Sequence, residues 1–360
     1  MRKFQLIFIF FYSILTVSIV CVSCTTSVKT TLTEVGQIDT GGDAFDVDIK
    51  NNIAYVIDLR YDGLKSIDIS DPNNLEILDE FRDGGIPHEL LIVEDLLYLG
   101  DHNNGLEIID INNPNNLEEI GEFNDGGEIS WFDFDSDKIY AGDGVDGLEI
   151  IDVSDPTHPF EIGQYDWEGI TCVHVINDIA WLGRYNGLLK LVNVSNPDNP
   201  IEVREIELGN IARDMYSEDG RIYIACERQG LKIYDVNNPI DPVFLGQCII
   251  DGFIMDICVE GDFVWAAEGD KGVKLINVNE NSKPFVVTTY NDGGNAKGVH
   301  IVNEKIFVAE SSDGLEILIL ESDNSSDDNS STIPSYDLFL IIASFSSLGF
   351  LMRISGNINV

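Results

Sequence analysis

Short runs of apolar and β-branched residues, separated by Gly, Pro, Asn and Asp, follow one another along residues 32–320. This pattern predicts short β-strands joined by turns. One phrase, which reads GLEIIDVSDP at Gly147, recurs seven times, and its copies start 40 to 43 residues apart. A strand-rich repeat of this period predicts the blades of a β-propeller. The copies begin at Gly63, Gly105, Gly147, Gly187, Gly230, Gly272 and Gly314.

Each repeat divides into four strand-like segments, which predicts an all-β, seven-bladed propeller over residues 32–320. The seventh repeat ends at Leu320 without an outermost strand. The missing segment stands at the front of the array, where residues 32–38 (LTEVGQI) match residues 117–123 (LEEIGEF) of the second repeat. We therefore expect an N-terminal strand to complete the last blade and to close the ring.

The repeated phrase GL-x-I-I-D-V-S-D-P resembles the unit of the LVIVD-repeat family, over roughly residues 32–320. The fourth copy departs by one residue, and the sixth lacks the proline. The resemblance implies an extracellular or surface propeller. It implies no defined activity.

The two ends of the chain predict targeting segments. Residues 1–24 combine a basic start with a long apolar run, which is typical of a signal peptide that is cleaved, lipidated or retained as an anchor. Residues 321–332 are polar and of low complexity, and they predict a flexible stalk with glycosylation candidates at Asn324 and Asn329. Residues 333–353 predict a C-terminal transmembrane helix. We therefore expect a membrane-anchored protein with the propeller at the cell surface.

The charge balance narrows the range of partners. With 63 acidic and 21 basic residues, the formal net charge is −42. Nucleic acid is excluded as a partner, because binding to phosphates requires clustered Lys and Arg. A cationic partner or salty surroundings suit such a surface.

Acidic residues recur at two equivalent positions of the repeat. Aligned on the repeat, they predict an acidic mouth of the propeller, which suits calcium or a basic protein loop. The alternative is a repeated acidic loop that faces water. The loop after the second strand contributes Asp58, Asp101, Asp143, Glu227, Glu268 and Glu310, with Arg184 in the fourth repeat. The innermost strands contribute Asp46, Glu89, Asp214 and Asp256.

Two histidines of the second repeat, His88 and His102, align near the same rim and are candidate ligands of a transition metal. Calcium is the one cofactor that the acidic positions suggest. The motifs G-x-S-x-G, H-E-x-x-H and G-x-x-x-x-G-K-[ST] are missing, and no residue is predicted to be catalytic.

The favoured function is therefore a non-catalytic cell-surface module that binds a protein or a glycan, in adhesion or as a scaffold. The alternative is an extracellular metal-binding module or hydrolase that uses the acidic mouth. A fold of this kind does not decide between them.

Overall fold

The computed structural model describes residues 29–323 except 60–62, 83 and 281, and it forms seven four-stranded antiparallel sheets. The prediction of a seven-bladed β-propeller is confirmed. Helical conformation in this part of the chain is limited to the 3-10 turn Glu227–Gln229 and to Leu59.

The first four blades follow the chain in order. Blade 1 contains β2 (Ala44–Lys50), β3 (Ile53–Asp58), β4 (Gly63–Asp68) and β5 (Glu76–Arg82). Blade 2 contains β6 (Pro87–Val93), β7 (Leu96–Asp101), β8 (Gly105–Asp110) and β9 (Glu118–Phe123). Blade 3 contains β10 (Ile129–Asp135), β11 (Lys138–Asp143), β12 (Gly147–Asp152) and β13 (Phe160–Tyr165). Blade 4 contains β14 (Ile170–Ile176), β15 (Ile179–Arg184), β16 (Leu188–Asn193) and β17 (Ile201–Glu207).

The last three blades include the one that joins both parts of the chain. Blade 5 contains β18 (Asp214–Glu218), β19 (Arg221–Cys226), β20 (Gly230–Asp235) and β21 (Val243–Cys248). Blade 6 contains β22 (Asp256–Glu260), β23 (Phe263–Ala267), β24 (Val273–Asn277) and β25 (Phe285–Tyr290). Blade 7 contains β26 (Gly298–Val302), β27 (Lys305–Ala309), β28 (Leu315–Asp323) and β1 (Lys29–Ile38).

Strand register defines two faces of the disc. In blade 2, Asp101 lies opposite both Pro87 and Gly105, and Leu106 lies opposite Phe123. The start of the first strand, the end of the second, the start of the third and the end of the fourth therefore share one side, which we call the top face. The opposite ends and their turns form the bottom face.

The core lies between the blades. The second and third strands of each sheet are covered on both sides by neighbouring blades, so their burial is nearly continuous rather than alternating, as in β7 and β8. One such interface packs Tyr55, Ile57 and Leu64 of blade 1 against Leu97 and Leu99 of blade 2. The apolar runs of the repeat phrase are thus explained by packing.

A glycine of the outermost strand and the proline turn of the next blade pack closely together in three blades. A Cβ added at Gly121 of β9 would lie 2.0 Å from the carbonyl oxygen of Pro156, in the turn of the next blade. The same close approach joins Gly163 to Pro197 and Gly36 to Pro72, at 1.9 and 2.3 Å. At these three positions the proline turn of the next blade lies so close to the strand backbone that only glycine fits.

Ring closure follows the predicted route. Strand β1 pairs antiparallel with β28, and Leu32 lies opposite Leu320. Pairing extends further than the sequence indicated, from Lys29 opposite Asp323 to Ile38 opposite Leu315. Leu32 packs on the core between blades 6 and 7, and Ile38 on the core between blades 7 and 1. Strand β1 thus contributes apolar contacts to both interfaces of blade 7.

Most of the predicted targeting segments lie outside the described residues. These are the signal peptide or anchor (1–24), the stalk beyond Asp323, both glycosylation candidates and the C-terminal anchor (333–353). Among residues 29–323, no helix has the length and apolar character needed to cross a bilayer.

Leu32→Ala combined with Ile38→Ala should lower the free energy of unfolding by roughly 2–5 kcal/mol, because both side chains lose contacts at the closing strand. Urea unfolding followed by circular dichroism measures this loss. Gln37→Ala, on the same strand but exposed, should change stability by about 0.5 kcal/mol or less. An equal effect of the two changes would show that β1 does not close the ring through its apolar side chains.

Candidate functional site

The innermost strand of each blade lines the central channel. The edge of this strand that faces the channel has no further strand to pair with. Backbone N–H groups along that edge need other acceptors, because buried amides without partners destabilise a fold. Carboxylates from the preceding blade meet this need. The channel acids predicted from the sequence, Asp46, Glu89, Asp214 and Asp256, all occupy this position.

Each of these carboxylates accepts a hydrogen bond from the next blade. The amide of Leu90 donates to Asp46 Oδ2 at 3.1 Å, and the amide of Phe132 donates to Glu89 Oε2. The same kind of hydrogen bond joins blade 5 to blade 6, where the amide of Ile257 donates to Asp214 Oδ2 at 2.9 Å.

The link from blade 6 to blade 7 completes this set, since the amide of Val299 donates to Asp256 Oδ2 at 2.6 Å. A second tier lies two residues further along the strands. The amide of Ile92 donates to Asp48 Oδ2 at 2.9 Å, and that of Val175 donates to Asp133 Oδ2 at 2.7 Å. Between blades 4 and 5 a hydroxyl replaces the carboxylate, and Thr171 Oγ1 donates to the carbonyl of Ala212 at 2.8 Å.

Burial and mutual repulsion perturb these acids. Burial, and then the charges of Asp48 and Asp214, raise the pKa of Asp46 to about 7. Burial also raises the pKa of Glu89 well above its usual range, and the charges of Asp46 and Asp214 add to the effect. Acids held this close in a poorly solvated channel cannot all ionise together.

Asp214 and Asp256 form a hydrogen-bonded pair of carboxyl groups. Burial and the charge of Asp214 raise the pKa of Asp256 well above its usual range. The hydrogen bond from Asp256 partly offsets the effect of burial on Asp214. Both oxygens of Asp214 accept backbone amides, from Met215 at 2.6 Å and Ile257 at 2.9 Å. Asp256 therefore holds the shared proton and donates it to Asp214.

Cavities lie on both sides of the acidic ring. The upper cavity, at the top face, has a volume of only about 50 Å³. The lower one is about 390 Å³ and mixes channel acids with apolar side chains such as Ile257 and Val299. The upper space admits a side chain or a few waters, whereas the lower one is as large as a small-ligand pocket.

The wall of the upper cavity is built from the residue just before the channel position in each blade. These residues differ in every repeat, whereas the repeated phrase of the third strand varies little. Five of them line the cavity, namely Phe45, His88, Arg213, Met255 and Lys297, and Ser130 and Thr171 hold the same position in blades 3 and 4. Burial lowers the pKa of Lys297, and the charge of Arg213 lowers it further.

The acids after the second strand form a separate set. Asp101, Asp143, Glu227, Glu268 and Glu310 are buried beneath the loops of the top face, not gathered at the channel mouth. The sequence analysis therefore placed at one mouth two sets of acids that the structure separates. Their predicted role in binding a ligand stays a prediction.

Several of these buried acids organise their own loops. The amides of Val145 and Asp146 donate to Asp143 Oδ1 at 2.7 and 2.9 Å, and that of Glu128 donates to Oδ2 at 2.6 Å. Two amides donate likewise to Asp101 Oδ1. Arg213 binds Glu227 Oε1 at 2.6 Å, and Lys274 pairs with Glu268.

The predicted histidine site is only partly assembled. The ring centres of His88 and His102 lie 5.9 Å apart, and His88 also contacts the rings of Phe45 and Trp131. Burial lowers the pKa of His88, and the charge of His102 adds to this. Among residues 29–323, the groups of three or more potential metal ligands with donor atoms within 4.8 Å of one another do not include either histidine. A metal held by them stays a prediction.

Sequence reasoning missed Arg213 and Lys297 at the mouth. The sequence did contain a signal for these two residues, because Arg213 and Lys297 each directly precede an aligned channel position. A repeat-by-repeat search for the most variable position, rather than the most acidic one, finds both.

The fold and the acid-lined channel together define a repeat β-propeller. Five segments match the LVIVD repeat: residues 41–81, 84–125, 138–167, 212–249 and 251–292. These segments make up more than half of the chain, and the protein belongs to the LVIVD-repeat family. No curated protein sequence matches the chain.

Solved structures that are similar share the fold at low sequence identity. The designed protein Ika8 is 9% identical with a TM-score of 0.61, covering 79% of this chain and 99% of its own. The β-propeller domain of Cps50 (Swd1) from Myceliophteria thermophila is 10% identical with a TM-score of 0.66, covering 80% and 99%. The WD40 propeller domain of Doa1 is 12% identical with a TM-score of 0.64, covering 80% and 97%. At such identities the likeness concerns the fold alone.

The Asp214–Asp256 pair predicts a pH dependence of stability. The folded-state pKa of Asp256 lies above its unfolded value of about 4. The folded protein therefore binds this proton more tightly, and the free energy of unfolding falls as pH rises from about 4 through the folded-state pKa. Asp256→Asn keeps a donor toward Asp214 and an acceptor for Val299 at every pH. Its stability should fall less between pH 5 and 8, leaving it of order 1 kcal/mol above wild type at pH 8.

Asp214→Asn is the matched contrast. Its side-chain NH₂ group would face a backbone N–H that now donates a hydrogen bond to the carboxylate. The free energy of unfolding of this variant should be lower than that of wild type by roughly 1–3 kcal/mol. Denaturant unfolding between pH 5 and 8 measures both variants, with exposed Glu76→Gln as the control for charge. Parallel pH profiles for wild type and Asp256→Asn would contradict the shared proton.

Proposed function

We propose that this protein is a non-catalytic cell-surface scaffold that binds a segment of another protein at the top mouth of its channel. The observation that supports this most is the set of seven different side chains at one repeat position, five of which line the mouth. Core positions keep apolar residues because packing demands it, as at Leu64 and Leu106 of the third strands. The five lining residues share no common type, and such diversity suits recognition of an asymmetric ligand.

The size and chemistry of the mouth favour a peptide side chain as the inserted group. About 50 Å³ is too small for a cofactor or a sugar ring, but it admits an apolar tip between Phe45 and Met255. Further contact area lies on the loops around the mouth. Tyr185 is 62% exposed and Ile249 is 77% exposed, and Arg228 stacks on Phe253 at 4.6 Å. Aromatic residues and Arg dominate binding energy at interfaces.

The net charge of −42 favours a basic partner, since long-range attraction raises the rate of encounter. A glycan is the second ligand class, supported by the exposed ring of Tyr185, and it would bind on the loops rather than in the narrow mouth.

The position of the chain ends supports display on a membrane. Lys29 lies opposite Asp323, at the bottom end of the outermost strands of blade 7. A stalk and an anchor after residue 323 would therefore leave from the bottom face and turn the top mouth away from the membrane. The same holds for an N-terminal anchor within residues 1–24.

A hydrolase or metal-dependent module is the alternative function, and one observation favours it. The protonated carboxyl of Asp256 and the amine of Lys297, whose pKa is lowered, both line the upper cavity, where they could transfer protons. Turnover of a glycoside or ester that Asp256→Asn abolishes, in a variant that remains folded, would replace the scaffold by an enzyme.

Tyr185→Ala and Lys297→Ala should each weaken binding of the partner by about tenfold or more, because central aromatic and charged anchors contribute most to affinity. A photoreactive side chain at position 185 of the full-length protein, on cells that make it, identifies the partner by mass spectrometry. Calorimetric titration with that partner then gives the affinities.

Phe160→Ala is the matched control, because this ring is exposed at the bottom end of β13. It should leave affinity and cross-linking unchanged. Equal cross-linking from positions 160 and 185 would exclude the top mouth. Binding to a glycan array that Tyr185→Ala removes, with no protein cross-linked, would establish the glycan instead.

A further inference from the structure

One position in the third strand of each blade carries either lysine or glutamate. It lies two residues after the phrase glycine in blades 1, 2, 3, 5, 6 and 7, and the register of β16 places Lys190 there in blade 4. Lysine occupies this position as Lys65, Lys190, Lys232 and Lys274, and glutamate as Glu107, Glu149 and Glu316.

In the lysine blades the ammonium group neutralises a buried acid or finds another oxygen. Lys65 Nζ lies 3.0 Å from Asp58 Oδ2, and Lys274 contacts Glu268 at the same place in blade 6. Lys190 Nζ lies 2.8 Å from Glu202. A lysine ammonium group thus compensates the charge of a carboxylate in these blades.

In blade 3 the cation is replaced by a third acid. Oxygen atoms of Asp125, Asp146 and Glu149 lie within 4.8 Å of one another. Glu149 is 1% exposed, and no amide, hydroxyl or ammonium group donates a hydrogen bond to either of its carboxylate oxygens. A buried, unpartnered carboxylate aimed at two further acids calls for a positive charge.

Blade 7 repeats this arrangement. Oxygen atoms of Asp292, Glu310 and Glu316 also lie within 4.8 Å of one another. Glu316 is 0% exposed with both oxygens unpartnered, and Glu310 is 1% exposed with Oε2 unpartnered. The two clusters share the outer aspartate of the loop and the glutamate of the third strand. Their third member differs, because Asp146 directly precedes the phrase glycine in blade 3 whereas Glu310 follows the second strand in blade 7.

The same loop supplies the outer acid in both blades. Residues 124–127 and 291–294 both read NDGG. In each loop the aspartate accepts the amide two residues on, at 3.2 Å for Asp125 and 3.1 Å for Asp292. The second glycine is required, because a Cβ at Gly127 would lie 1.6 Å from Asp143 Oδ2. The loop is thus pressed onto the buried acid.

We propose that these two triads, Asp125–Asp146–Glu149 in blade 3 and Asp292–Glu310–Glu316 in blade 7, each bind a calcium ion where the lysine blades place an ammonium group. Three carboxylates offer the oxygen ligands that calcium prefers, and the exposed outer aspartates leave room for water to complete a shell of six to eight. With so few protein ligands, Kd should fall at about 10⁻⁴–10⁻³ M, the range of extracellular calcium modules.

Protons are the competing occupants of these clusters. Burial, and then the neighbouring acids, raise the pKa of Glu149 to about 8 and that of Glu316 to about 10. A shared proton removes only part of the negative charge of three acids. Calcium neutralises two charges at once and occupies several oxygens together.

Glu149→Lys and Glu316→Lys test the inference, because each installs the residue that blades 1 and 6 carry at the same register. Equilibrium dialysis of the full-length protein against 1 mM ⁴⁵Ca²⁺ at fixed ionic strength measures the bound ions. Wild type should bind up to two more ions per chain than the double variant, and each single variant should lose one site. In 10 mM Ca²⁺, the Tm of wild type should rise by a few degrees over matched NaCl, and this rise should vanish in the double variant.

Glu76→Lys changes the net charge equally at an exposed site, and it should bind as many ions as wild type. Glu149→Gln and Glu316→Gln, nearly isosteric, replace the lysine variants if those do not fold. Equal calcium binding in wild type and the double variant, or no Tm shift in wild type, would overturn the inference and leave shared protons in the clusters. This test needs no binding partner, so it does not depend on the proposed scaffold function.

Discussion

The propeller depends on carboxylates that join each innermost strand to the next. An innermost strand has one edge without a β-partner, and Asp46, Glu89, Asp214 and Asp256 supply acceptors for amides of the following blade. The arrangement satisfies the channel edge, but it brings several acids together where water is scarce. Burial and neighbouring charges then raise the pKa values of these acids, as they do at Asp46 and Asp256. The carboxylates that join the blades therefore also form an acidic channel with perturbed pKa values. Such values alone do not indicate catalysis.

Regular and variable positions of the repeat have different physical causes. Glycine recurs in the outermost strand where the proline turn of the next blade touches its backbone, as at Gly163 and Pro197. The position before the channel residue differs in every blade, and in five of the seven blades its side chain borders the upper cavity. The lysine or glutamate of the third strand is intermediate, since its surroundings require charge compensation but accept it from an ammonium group or from an ion.

These features share one side of the molecule. The two loops with the NDGG sequence lead directly into β10 and β26, and Lys297, on the wall of the mouth, directly precedes β26. Calcium in the triads would fix the approach to the mouth from both of these blades. Both ends of the described chain lie on the opposite face, so anchoring and recognition would not compete for the same surface.

The sequence by itself determined the seven blades and the closing strand, because hydrophobic alternation, turn residues and the period of the phrase are local properties of the chain. It also located the channel acids at one repeat position. It assigned Asp214 and Asp143 to different repeat positions but placed both at one mouth, because only the packing of blades decides whether a carboxylate faces the channel or lies beneath a loop. The triads were equally invisible, because Asp125 precedes the first strand of blade 3 whereas Glu149 lies in its third. Tertiary structure decides such contacts because it fixes which oxygens already have an amide or an ammonium partner and which do not.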